Sequence, residues 1–76
     1  AYFSFYGITN LENYFNAEVR CINEIMSYKM IWKRDLLSHF YGITNLENYF
    51  NAEVRCINEI MSYKMIWKRD LLSHSF

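Results

Sequence analysis

Phe5–His39 and Phe40–His74 are the same 35 residues, FYGITNLENYFNAEVRCINEIMSYKMIWKRDLLSH, repeated without a substitution. Only AYFS in front and SF behind lie outside the repeat. Whatever one copy prefers to form, the other prefers too, and two identical elements packed antiparallel are related by an approximate two-fold axis. Each copy carries one glycine, Gly7 or Gly42, and the chain has no proline. Between the two glycines, and again from Asn45 onward, no strong breaker interrupts the sequence.

Within each copy the apolar residues recur with a helical period. At about 100° per residue, Leu11, Phe15, Val19, Ile22, Ile25, Met26, Leu36 and Leu37 share one side of a helix. Their equivalents are Leu46, Phe50, Val54, Ile57, Ile60, Met61, Leu71 and Leu72. Asn48, Asn51, Arg55, Asn58, Ser62, Arg69 and Ser73 share the opposite side, while Lys64 and Lys68 fall on the apolar one. Thr9 with Glu12, and Thr44 with Glu47, match the S/T-x-x-E capping box, in which each side chain satisfies a free N–H of the first turn. The sequence therefore predicts an all-α chain and a single domain over residues 1–76, with copies at 5–39 and 40–74. Each copy supplies one helix of about 30 residues, or ~45 Å. The turn is placed at Gly42, Ile43 and Thr44, where glycine tolerates the left-handed position after a helix. The leading AYFSFYG is expected to fray or to fold back over an open end of the core.

An antiparallel hairpin covers each helix from one side only. The apolar arc is about twice as wide as the ~100° stripe that suffices for that, because Tyr49, Cys56, Tyr63 and Trp67 border it. With 53% of residues apolar and 20% aromatic, so short a chain has more water-averse surface than one hairpin hides. A homodimer of two hairpins, forming a four-helix bundle, would cover it. The predicted core and interface comprise Leu11, Phe15, Val19, Ile22, Ile25, Met26, Trp32 and Leu36, with Leu46, Phe50, Val54, Ile57, Ile60, Met61, Trp67 and Leu71. Charge favours antiparallel neighbours: Glu12, Glu18, Arg20 and Glu24 leave the first half of a copy acidic, and Lys29, Lys33, Arg34 and Asp35 leave the second half basic. A rival topology absorbs Gly42 into one continuous helix, at a cost of only ~1 kcal/mol, and pairs two chains as an antiparallel, swapped rod.

Little else suggests chemistry. With the turn at Gly42, Cys56 lies level with Lys29, about 12 Å along the axis from Cys21, too far for a disulfide. Both cysteines are therefore read as reduced, part-buried thiols. His39 and His74 would sit about a helix length apart and share no metal, so no metal, cofactor or small-molecule substrate is called for. Ser38 and Ser73 adjoin their histidines, but neighbouring side chains diverge on a helix. No carboxylate is placed to orient the imidazole, so the chain is read as a non-enzyme. Lys29-Met-Ile-Trp-Lys-Arg mixes basic and aromatic residues as nucleic-acid and membrane surfaces do. The net charge of zero lacks the basic footprint of a nucleic-acid binder, and neither nucleic acid nor membrane is the preferred partner. No segment has the ~18 uncharged apolar residues of a membrane span, AYFSFYGI is not built like a signal peptide, and the location is left open. The missing initiator Met points to processing, a trimmed tag or a fragment.

Natural repeats drift at tolerant surface positions, and these copies are identical even there. That implies a very recent duplication or deliberate construction. The functional expectation is an engineered or recently duplicated self-association module. A small RNA-binding or adaptor hairpin, and an amphipathic membrane-surface helix, are the alternatives.

Overall fold

The computed structural model describes residues 5–73 and is all-helical. Helix α1 spans Phe5–Arg34 and helix α2 spans His39–Ser73, and the two pack against each other as an antiparallel hairpin. The resulting rod measures 57 × 15 × 12 Å. Its radius of gyration, 17.1 Å, far exceeds the roughly 11 Å of a compact chain of this length.

The chain reverses at Asp35–Ser38, not at Gly42–Thr44. The last turn of α1 tightens as Leu36 N–H donates to the Lys33 carbonyl at 3.4 Å, and Ser38 N–H then donates to the Asp35 carbonyl at 3.0 Å. Ser38 opens α2 as its N-cap, with its hydroxyl accepting from Tyr41 N–H at 3.3 Å and its carbonyl from Gly42 N–H at 2.8 Å. Gly42 lies inside α2 and none of the described glycines has a positive φ, so conformational freedom is not its role. A Cβ there would come within 3.2 Å of the Asp35 carbonyl oxygen, so glycine lets α2 pass close beneath the end of α1. The predicted capping boxes fail for the same reason. Thr9, Glu12, Thr44 and Glu47 all lie within helices, because α1 already begins at Phe5 and α2 at His39. Part of the leader expected to fray, Phe5–Gly7, is helical, and residues 1–4 lie outside the described residues.

Moving the turn shifts the register by about five residues, or ~7.5 Å. Arg20 pairs with Glu59 at 2.6 Å, Arg55 with Glu24, and the Tyr14 and Trp67 rings meet at 5.9 Å. The expected register would have set Lys64 level with Cys21 and driven an ammonium group against the seam. The observed register sets Glu59 there, with Arg20 beside it.

The seam is made of small and amphipathic side chains. Asn10, Tyr14, Ala17, Cys21, Glu24, Tyr28, Trp32 and Asp35 follow one another at intervals of three or four, as in a coiled coil. Ala17, Cys21, Ala52 and Cys56 are the buried apolar core of the described residues. Their small volume lets the helix backbones approach at the middle of the rod. Toward each end the gap is filled by rings, Tyr14 on Trp67 and Tyr49 on Trp32, both at 5.9 Å. The ends close with amide–carboxylate hydrogen bonds, Asn10 to Asp70 and Asn45 to Asp35, the second at 2.8 Å.

Candidate functional site

Among the described residues the cross-helix contacts of the seam come in equivalent pairs. Asn10–Asp70 repeats as Asn45–Asp35, Tyr14–Trp67 as Tyr49–Trp32, Arg20–Glu59 as Arg55–Glu24, and Cys21–Glu59 as Cys56–Glu24. The members exchange when the repeat is shifted by its own length, so a two-fold axis relates the helices. For antiparallel helices that axis stands perpendicular to the plane containing both. It therefore keeps the equivalent flanks of the two helices on the same side of the hairpin.

The consequence is a two-sided rod. Measured around each helix from the seam, Leu11, Phe15, Val19, Ile22 and Met26 lie on one flank, and Asn13, Asn16, Arg20, Asn23 and Ser27 on the other. The axis puts Leu46, Phe50, Val54, Ile57 and Met61 on the same side as the first group. One broad side of the hairpin thus gathers most of the large apolar side chains, interrupted by Glu18, Lys29 and Lys33 and their equivalents Glu53, Lys64 and Lys68, and the opposite side is mainly polar. The apolar side is open: Phe15 and Phe50 are each 62% exposed, and Leu11, Val19, Ile22, Met26 and their equivalents are exposed as well.

The residues predicted as core are accordingly divided. Trp32 and Trp67 enter the seam, and Ile25 and Ile60 are half-buried beside it. Leu11, Phe15, Val19, Ile22 and Met26, with Leu46, Phe50, Val54, Ile57 and Met61, are not buried by the hairpin, and Leu36 and Leu71 are exposed near its two ends. Their hydrophobicity dominated the periodicity and masked the seam, whose members are mostly alanine, cysteine, tyrosine and charged or amide residues. The side chain of His39 and the whole of His74 lie outside what is described.

At the centre of the seam the register brings the two cysteines together. The expected separation of a dozen ångströms is wrong: the sulfurs of Cys21 and Cys56 and a carboxylate oxygen of Glu24 all lie within 4.8 Å of one another. Both cysteines are free and fully buried. Cys21 Sγ donates to Glu59 Oε2 at 3.3 Å, and Cys56 Sγ to Glu24 Oε2 at 3.8 Å. Arg20 and Arg55, which are half-exposed, hold those two carboxylates from the polar side of the rod. Burial pushes the Cys21 thiol above its ordinary 9.0, and the neighbouring Cys56 and Glu59 act in the same direction. The Arg20 guanidinium and the Cys21 thiol, both hydrogen-bonded to Glu59, hold its carboxyl below the usual value. A thiol kept protonated in this way is a poor nucleophile. The sequence signal that would have found the cluster was the Cys-x-x-Glu spacing, read together with a turn at Ser38.

No described helix is long and apolar enough to cross a membrane. No known protein family, curated protein or solved structure matches the chain.

Proposed function

We propose that the chain is a non-catalytic self-association module, and that two hairpins join through their apolar sides into a four-helix bundle. The supporting observation is the set of exposed apolar side chains on one side of the hairpin, contributed equally by both helices. The chain as a whole exposes 6202 Å², against roughly 5,000 Å² for a compact monomer of its mass, as a two-helix rod without a second layer must. A second copy fits best because the side is two-fold symmetric, with an acidic half and a basic half on every helix. Antiparallel hairpins set acidic halves beside basic ones. The identity of the copies even at exposed Asn13 and Asn48 supports a very recent tandem duplication or deliberate construction as the origin of the repeat.

The test is sedimentation velocity at micromolar concentration on the native chain and on the pair Phe15→Lys with Phe50→Lys. The native chain should sediment as a dimer, and the charged variant as a helical monomer. A native chain that stays monomeric, or a variant that still dimerises, would refute the reading. Partition of a monomeric native chain onto anionic vesicles would favour a membrane surface as the covering instead. Binding to RNA that weakens steeply with salt would favour nucleic acid.

A further inference from the structure

We propose that Cys21, Cys56 and Glu24, with Glu59 as the fourth donor, form a binding site for a borderline-soft divalent cation of the Zn²⁺ class at the centre of the hairpin. The inference is independent of self-association, because the cluster opens toward the polar side of the rod and leaves the apolar side untouched.

Three observations carry it. The first is convergence. Donor atoms from two helices, Cys21 Sγ, Cys56 Sγ and a Glu24 oxygen, already lie within 4.8 Å of one another. A tetrahedral ion with metal–sulfur bonds of about 2.3 Å and metal–oxygen bonds of about 2.1 Å requires donors roughly 3.4–3.8 Å apart. The Cys21–Glu59 and Cys56–Glu24 separations, 3.3 and 3.8 Å, bracket that spacing. The remaining pairs close by side-chain rotation, Glu59 swinging from Cys21 toward the other donors.

The second observation is chemistry. Two thiolates select borderline and soft ions over Mg²⁺ and Ca²⁺, and two carboxylates complete a four-donor set. Each ligating cysteine breaks its S–H bond as the sulfur–metal bond forms and passes the proton to buffer. No electron moves, and two protons leave per ion.

The third is charge. Two thiolates and two carboxylates carry four negative charges, and a divalent ion offsets two of them. Arg20 and Arg55, already paired with Glu59 and Glu24, offset the other two. The guanidinium groups stand where outer-shell partners orient metal-ligating carboxylates. A fully ionised site in the seam is therefore neutral overall.

Cadmium is the probe, titrated into the full chain in the presence of a phosphine reductant. Thiolate-to-metal charge-transfer absorption reports sulfur ligation, and native mass spectrometry gives stoichiometry. The band should saturate at one ion per chain, and Zn²⁺ should compete it away. Cys21→Ser and Cys56→Ser should each weaken binding at least a hundredfold, and Glu24→Gln with Glu59→Gln at least tenfold. The glutamine variants alter only part-exposed positions and keep the test valid should a serine variant lose helix by circular dichroism. Absence of the band would overturn the proposal. So would saturation at one ion per cysteine, survival of full affinity in either serine variant, or indifference to the glutamine pair.

Discussion

The seam and the apolar side are built from the same two helices, yet they use opposite materials. The seam holds alanine and cysteine at its centre and tyrosine–tryptophan pairs toward its ends, and it is closed by hydrogen bonds. The apolar side holds leucine, isoleucine, methionine and phenylalanine, and these side chains are exposed. Close approach of two helices requires small residues, and large side chains suit a looser contact with a wider neighbour. What holds the hairpin shut is therefore different from what would join one hairpin to another, and the two can be perturbed separately.

The largest effect should follow from filling the seam. Ala17→Leu with Ala52→Leu forces bulk between backbones that meet closely, at about 1–3 kcal/mol per site. Urea unfolding should show a loss of roughly 2–6 kcal/mol, where ordinary helix propensity alone predicts almost none. Truncating the apolar side should do the reverse. Phe15→Ala with Phe50→Ala should weaken association by tenfold or more, while helical content of the dilute monomer barely changes. Equal losses from both pairs of substitutions would erase the distinction between the two surfaces.

A smaller effect tests the turn that sets the seam's register. Ser38→Ala removes the N-cap of α2 and should cost about 1 kcal/mol, measured by thermal unfolding. The smallest effect is electrostatic. Glu59 has a depressed carboxyl pKa in the folded chain, so its contribution is complete above its ordinary 4.5 and is lost as pH falls through the depressed value. Acid titration followed by circular dichroism should show the native chain losing stability below that point, and Glu59→Gln losing less over the same interval.

The helices were legible because the apolar period is long and unbroken, and the wide arc announced a surface that one partner helix does not cover. The turn was not legible, for a reason the repeat makes plain. Asp-Leu-Leu-Ser is a turn at 35–38 and helix at 70–73, so the same letters accept both states. Local preference did not decide between them. Pairing did, since the reversal at Asp35–Ser38 sets Glu59 and not a lysine beside Cys21. Gly42 and the Thr44–Glu47 box looked like a hinge, and the true cap, Ser38, has Tyr41 where the motif calls for an acid or amide. The cysteine cluster was hidden with the register. Once α2 slides about five residues, two thiols thought far apart become neighbours.

Small-angle X-ray scattering at micromolar concentration tests the central claim most directly, because it reads mass and length together. Two hairpins joined side to side should give twice 9.3 kDa with a longest dimension still near the 57 Å of one rod. A particle of 9.3 kDa and that same length would contradict the account, as would a doubled mass on a rod nearly twice as long.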